Sequence, residues 1–436
     1  MTPRLTPEIL ANLHEVPGHV FRIEVDGRYL HWDELRHRTP PAGLTRERWW
    51  AAIALARSGV AQHVAEARAS GTTFRFTMTD TIQRGVHGVD RDACGRIELP
   101  EDITNQATRD RYVVSSLIEE AIQSSQLEGA STTRVVAKEM LRTGRAPRTL
   151  GERMIRNNFL AMEWARDRSA EPLRLDRLFE LHHILTADTL DQPDAAGRLR
   201  RADEPVHVVD PHDEEIVYTP PDAARLAQRM DALCRFANAT PDEGPFIHPV
   251  VRAILLHFWL AFDHPFVDGN GRVARALFYW SMLRQGYWLT EFISISRVIK
   301  RARAQYDRAF IYAETDGNDA TYFVLNQLKV VRTAIDDLFT HLRSKAGEVR
   351  SLEARLRDAG DLNHRQVALL GHALRQPDTR FTIEAHRTSH RVAYQTARTD
   401  LLALADRGRL TQGKQGAKLV FVATPDLERR LERGTR

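Results

Sequence analysis

Apolar and polar positions divide the chain into helical and extended segments. Val250 to Phe262 (VVRAILLHFWLAF) is strongly apolar and free of Pro and Gly, which predicts a buried helix. Val273 to Gln285 (VARALFYWSMLRQ) predicts a second, and the Asp-Gly-Asn-Gly before it predicts a loop opening onto its N-terminus. Upstream, Arg109 to Leu127 is amphipathic: Val113, Leu117 and Ala121 share one stripe, with Ile118 and Ile122 alongside. Gly129 stands just past its end, where helices commonly terminate. Pro205 to Thr219 has two short β-branched runs around a polar Asp-Pro-His-Asp-Glu-Glu turn, which predicts a hairpin. Pro220-Pro221 then starts a helix through Phe236. Roughly Ala320 to Asp358 predicts a long connecting helix. Beyond it, Arg365 to Leu374 and Ile383 to His390 predict short helices. Val392 to Asp406 predicts a longer one with Ala397, Leu401 and Leu404 inward, closed by Gly408, and Leu410 to Val422 a hairpin with Gly413, Lys414 and Gly416 in its turn. Near the start, Trp32-Asp33-Glu34-Leu35 and Trp49-Trp50-Ala51-Ala52-Ile53 predict helices with aromatic core anchors.

Composition narrows the class. A chain of 436 residues suits two or three domains, and 42% hydrophobic with 28% charged residues is ordinary for a globular protein. Cys94 and Cys234 are far apart with no metal or redox spacing, which points to a reducing, cytoplasmic setting. The N-terminus lacks a basic start followed by an apolar core, and no apolar run approaches the ~18 residues of a span, so no membrane partner is expected. A net charge of +4 implies no partner for the whole chain. Residues 363–436, however, hold 14 Lys+Arg against 7 Asp+Glu, a net of +7, leaving −3 for everything before them.

The chemistry concentrates in the twelve residues from His264 to Arg275 (HPFVDGNGRVAR). Gly269 and Gly271 let backbone N–H groups approach an anion closely, and the following helix adds its positive end. The Asn270 side chain is expected to donate a further hydrogen bond there. Arg272 and Arg275, three apart, share a helix face and suit phosphate oxygens. Asp268 alone cannot cage a metal but matches Mg²⁺, which draws other ligands from phosphates and water. His264 can take a proton from an attacking hydroxyl.

This run resembles the complete signature of the Fic family, whose members usually transfer AMP from ATP to a protein hydroxyl. The resemblance implies that His264 is the base acting on a target Ser, Thr or Tyr, and that the ATP site runs through Pro265, Phe266, Val267, Asp268, Gly269, Asn270, Gly271, Arg272 and Arg275. Within it Phe266 anchors the loop in the core, Asp268 holds Mg²⁺, the Gly-Asn-Gly forms the anion hole for the α- and β-phosphates, and the arginines hold the β- and γ-phosphates. The second Gly, rather than Lys, favours AMP transfer over phosphorylation. Ser124-Ser125-Gln126-Leu127-Glu128-Gly129 is similar to the family's inhibitory signature: Glu128, with Ser124 and Gly129, would pair with Arg275 and take the partner that the γ-phosphate needs. The hairpin would be a flap that docks the target, and Val298 to Ala313 the last active-site helix, with Arg301 near the adenine.

The expected architecture is mainly α: an N-terminal helical scaffold (1–100), an inhibitory-helix region (101–150), a Fic core with its flap (151–345), a helical linker (346–362) and a winged helix-turn-helix (363–436), with Ala393 to Leu402 recognition-like and DNA the partner considered. The resemblance also brings in pairing with a second copy. Two alternatives stay open: another nucleotide transferred, or AMP removed, by the same site; and a transcription regulator whose Fic part senses nucleotide.

Overall fold

The structure, a computed structural model, describes the chain apart from residues 1, 4–5, 65, 68–70, 72–73, 95–105, 210–215, 241, 359–361, 376–378, 416–417 and 434–436. It divides into two compact units, Met1–Arg96 with Val113–Ile335, and Ile97–Tyr112 with Asp336–Arg436. Both are built mainly from helices. No described helix is long and apolar enough to cross a membrane.

In the first unit, α1 (Arg46–Val60) starts at Thr45, whose hydroxyl accepts the Arg48 N–H, and buries Trp49, Trp50 and Ile53 against Leu30 and Leu35. Its Arg57 is 1% exposed and fully engaged. The guanidinium donates to the carbonyls of Ile23 (3.0 Å) and Leu30 (2.9 Å) and to the Tyr322 hydroxyl (2.9 Å), and lies 3.5 Å over the Tyr29 ring. A buried cation thus ties the first sixty residues to the segment near 320. α2 (Asp80–Ala93) follows, then α3 (Gln106–Leu127), α4 (Arg134–Thr143), α5 (Leu150–Asp167) and α6 (Leu175–Thr186).

A two-stranded antiparallel hairpin, β1 (Val208–Val209) with β2 (Ile216–Tyr218), pairs Val208 with Tyr218 and Val209 with Ile216. The polar turn expected at its tip lies outside the described residues. After Pro220-Pro221, α7 (Ala223–Asn238) begins one residue past Asp222, whose carboxylate accepts the Ala224 N–H. The central pair is α8 (Pro249–Asp263) and α9 (Asn270–Arg284), packed on each other, with α5 and α6 against α9. Thirteen of the fifteen α8 residues are buried, as a continuous apolar run demands.

Two boundaries depart from the sequence reading. α9 starts at Asn270, not Val273, so the Asn-Gly expected in a loop forms its first turn. The single helix expected from Val298 to Ala313 is two, α10 (Ile295–Arg301) and α11 (Arg303–Thr315), broken at Ala302 (φ −134°, ψ 43°). α12 (Thr321–Asp358) is the long helix.

The second unit contains α13 (His364–Arg375), β3 (Phe381–Thr382), α14 (Ile383–His390), α15 (Tyr394–Asp406), β4 (Leu410–Gln415), β5 (Lys418–Ala423) and a closing helix, Leu427–Arg433. The strands form one antiparallel sheet in the order β3-β5-β4. Leu369, Leu370, Ala397, Leu401, Leu404 and Phe421 fill its core. Asp400 of α15, 4% exposed, accepts from Arg365 Nε (2.7 Å) and Nη2 (3.1 Å), Asn363 Nδ2 (2.7 Å) and His386 Nε2 (3.2 Å). One carboxylate therefore fixes α15 against both earlier helices. Asp400→Ala leaves a guanidinium without its counter-charge and should cost this unit about 3 kcal/mol. Calorimetry on the variant checks it: the melting transition of residues 336–436 falls, and an unshifted transition refutes the role.

Candidate active site

The site forms where α8 ends. Asp263, fully buried, accepts from Arg229 Nε (2.8 Å) and Trp259 Nε1 (3.0 Å), which pins the last helical residue. The next residue, His264, takes the left-handed conformation (φ 45°, ψ 58°), its N–H still bonded to the Leu260 carbonyl at 3.0 Å. That backbone is unfavourable for a residue with a Cβ and persists only where neighbours enforce it. Arg200 supplies the enforcement. Its Nε donates to the His264 carbonyl (2.9 Å), its own N–H to the Pro265 carbonyl (2.9 Å), and its Nη2 to the Pro221 carbonyl beside the hairpin.

The imidazole is oriented by a hydrogen bond between Nδ1 and the Ala261 carbonyl at 2.9 Å. Nδ1 must carry the proton there, because a carbonyl only accepts, so Nε2 keeps its lone pair. Burial pushes the His264 pKa below its ordinary 6.5, against the Ala261 carbonyl and Glu128, which act to raise it. The ring is therefore neutral at pH 7, the form that can accept a proton.

From Pro265 the chain turns inward. Phe266, fully buried, stacks on His182 with ring centroids 3.8 Å apart and 5° between planes. It anchors the loop rather than presenting its ring to a ligand. Asn270 also departs from expectation. It is 2% exposed, and its side chain accepts the Phe266 N–H (3.0 Å) and donates to the Phe266 carbonyl (2.9 Å). This amide closes the loop on itself and is not aimed at an anion. Gly269 supplies the reversal (φ 84°) before the helix, and a Cβ there would meet Thr186 Cγ2 at 2.9 Å. His182, the partner of Phe266, lies with Nε2 3.0 Å from the Asp268 carbonyl and Nδ1 accepting the Gly197 N–H at 2.9 Å. Burial lowers its pKa to about 4, so it stays neutral and donates through Nε2.

The charged groups sit just before α9 and on its first two turns. The Asp268 side chain is 57% exposed; Oδ1 accepts the Gly269 N–H at 2.5 Å and Oδ2 pairs with Arg272 Nη2 at 3.1 Å. Arg272 is 1% exposed, donates from Nη1 to the Leu185 carbonyl (3.1 Å), and leaves its buried Nε without a hydrogen-bond partner. A buried guanidinium N–H in that state is a donor in want of an acceptor. Among the described residues no group of three or more His, Cys, Asp or Glu side chains is placed to hold a metal.

Arg275 is committed to α3. Its Nε donates to Ser124 Oγ (2.9 Å), and its Nη2 to the Ser124 carbonyl (3.0 Å) and to Glu128 Oε1 (2.8 Å). Gly271 makes the pairing sterically feasible, because a methyl group in its place would overlap Glu128 Oε1. Gly129 (φ 93°) ends the helix directly after Glu128. Burial acts to raise the Glu128 pKa, but the Arg275 ion pair together with the Arg272 and Arg303 charges outweighs it, and the net shift is downward. The sign follows: the folded state gains from this carboxylate above its unfolded value and loses the gain only as pH falls through the depressed one. The ion pair thus persists throughout the neutral range.

Four residues of this assembly escape a reading of the sequence: Glu120, His182, Arg200 and Arg303. Glu120, 1% exposed, accepts from Ser294 Oγ (2.7 Å) and the Ser296 N–H (3.1 Å) at the start of α10. Its spacing is a usable signal, since Glu120, Ser124 and Glu128 recur every four residues on one helix face. Arg303 Nη1 donates to the Leu127 carbonyl at 3.0 Å, whereas Arg301, expected near the adenine, is exposed at the end of α10.

Residues 172–282, which hold His264, Asp268, Arg272 and Arg275, match the model of the Fic/DOC family. The chain is 31% identical over 118 residues to a protein from Nematostella vectensis called protein adenylyltransferase Fic, a match covering 27% of this chain and 25% of that one. Its counterpart of the same name in Drosophila melanogaster is 40% identical over 70 residues, 16% of this chain and 14% of that one. In Drosophila grimshawi the figures are 27% over 199 residues, 45% and 38%. The chain thus spans well under half the length of these curated relatives. A Fic family protein from Desulfovibrio desulfuricans G20 shares the fold, with a TM-score of 0.52 at 19% identity over 80% of this chain and 97% of that one.

The closed Asn270 ring generates a test. Asn270→Ala removes two buried hydrogen bonds and strands the Phe266 amide group, a loss of about 2–4 kcal/mol. Chemical denaturation of the ligand-free variant should show it; a side chain serving only a ligand would leave that stability unchanged.

Proposed function

We propose that this protein transfers AMP from ATP to a Ser, Thr or Tyr hydroxyl of a protein, itself included, and that Glu128 restrains the transfer. The observation that carries the reading is a neutral imidazole with Nδ1 spent and Nε2 bare, one turn of chain away from a helix start bearing two buried arginines. The relatives named adenylyltransferase support it.

In this reading the hydroxyl oxygen attacks the α-phosphorus, its proton passes to His264 Nε2, and the bond from that phosphorus to the β-phosphate oxygen breaks to release pyrophosphate. The work is positioning and charge neutralisation. The backbone N–H groups of Asn270 and Gly271, in the first turn of α9, and the positive end of that helix face the phosphates, while the Gly269 N–H is held by Asp268 Oδ1. Arg272 offers its unpartnered Nε. The Asp268 carboxylate, 57% exposed and paired with Arg272, fits an ion such as Mg²⁺ that needs one carboxylate and takes its remaining ligands from phosphates and water. Such an ion would neutralise charge building on the leaving group. The hairpin ends beside the Arg200 clamp, so a target strand added to it would lie close to His264.

Glu128 acts by occupying Arg275, the cation a γ-phosphate would otherwise meet. A coupling of about 1–3 kcal/mol corresponds to 5- to 150-fold restraint. Glu128→Gly should therefore raise autolabelling by labelled ATP within that range, and wild-type labelling in the variant counts against the restraint. Offering UTP, CTP and GTP, and then a modified target, in the same assay separates AMP transfer from other nucleotidylation and from removal.

In the Glu128→Gly background, His264→Ala should retain ATP binding by calorimetry and lose transfer. The lowered His264 pKa sets the pH profile as well. The base is active when deprotonated, so the midpoint of the acid-side decline in transfer should lie below pH 6.5. A decline already complete at pH 6.5 would contradict the assignment.

The C-terminal unit we read as a winged helix-turn-helix, on the order of its helices and hairpin and its net charge of +7 over residues 363–436, with duplex DNA as partner. Binding that weakens steeply between about 50 and 200 mM salt supports this partner.

A further inference from the structure

From Arg387 to Thr399 the chain runs RTSHRVAYQTART, with three arginines and no acid. α14 ends in this run, residues 391–393 turn, and α15 begins. The inward side of α15 is fixed by Ala397, Leu401, Leu404 and the four bonds at Asp400. Its N-terminal half leaves the opposite side open: Tyr394 is 51% exposed, and Gln395, Arg398 and Thr399 are exposed with it. Lys414 is exposed on β4. Arg387, by contrast, is paired with Glu384.

The turn contains the telling residue. Arg391 adopts φ 51°, ψ 45°, the left-handed conformation that caps a helix and that glycine fills at least cost. An arginine there lowers the stability of the turn for a side chain that projects at the entrance to α15. Its charge is what glycine lacks.

We infer that duplex DNA docks on this face, with the first two turns of α15 in the major groove, Arg398 directed to base edges, and Arg391 and Lys414 on the flanking phosphates. The inference rests on the reading of the C-terminal unit as DNA-binding. A helix carried on a packed three-helix base fits the width of the B-form groove. The deep, narrow groove of duplex RNA does not admit it.

The test uses the full-length protein and a fluorescent mixed-sequence duplex of about 30 base pairs, read by anisotropy from about 50 to 200 mM salt. Removing one phosphate-binding charge should flatten the slope of log affinity against log salt by about 0.9, so Arg391→Gly and Lys414→Ser each flatten it by that much. Arg398→Ala should weaken binding roughly tenfold at fixed salt. Arg391→Gly discriminates most sharply, because the same substitution relieves the turn: its melting temperature should rise or hold while affinity falls. Wild-type binding with all three variants unaffected overturns the docking face and leaves the DNA partner standing. No binding by wild type overturns both, as does equal or tighter binding of duplex RNA. Autolabelling in the Glu128→Gly background, unchanged by the three substitutions, shows that the Fic domain is intact in each case.

Discussion

Arg275 is the cation around which the candidate site is built. It is buried at the second turn of α9, and its Nε and Nη2 donate to Ser124 and Glu128 at the end of α3. A buried guanidinium must have acceptors. Two kinds are available in the proposed mechanism: the Ser124 and Glu128 oxygens of the chain, and the phosphate oxygens of a nucleotide. In that mechanism both need the same guanidinium, so restraint and transfer would be alternative ways of satisfying one charge. Gly271 is the steric condition for the first, since only a residue without a side chain lets the carboxylate reach the arginine.

The surrounding structure serves to hold the loop between α8 and α9 in one shape. Arg200 and Asp263 fix the chain on either side of His264, and His182 supports Phe266 and Asp268 from behind. The loop thereby keeps a left-handed histidine and a neutral ring without a ligand to organise it. Preorganisation of this kind is how an enzyme avoids reorganising dipoles during the reaction.

What can be read from sequence is what is contiguous. Residues 264–275 carry their chemistry in one run, and Glu128 stands four residues from Ser124 in another. The helices α8 and α14 follow from periodicity and apolar length. Tertiary effects are beyond reach. Arg200 and His182 act through backbone carbonyls far along the chain, and nothing local distinguishes them from surface residues. Asn270 reads as a ligand donor because Gly-Asn-Gly suggests an open loop. Its side chain instead satisfies the Phe266 backbone, which lets the helix begin three residues early. The break at Ala302 has no Pro or Gly to mark it; it is visible only once Arg303 is seen at the carbonyl of Leu127.

Glu120, placed one turn before Ser124 and two before Glu128, gives α3 a second fastening, to the serines that open α10. With Ser125 bonded to the Met154 carbonyl as well, the helix cannot slip by a residue without undoing its bonds to two different neighbours. Disengagement of the arginine is thereby confined to two local events. Either the Glu128 side chain swings out alone, leaving Ser124 in place, or the final turn frays and surrenders both. The first breaks a single ion pair, whereas the second also breaks both bonds to Ser124.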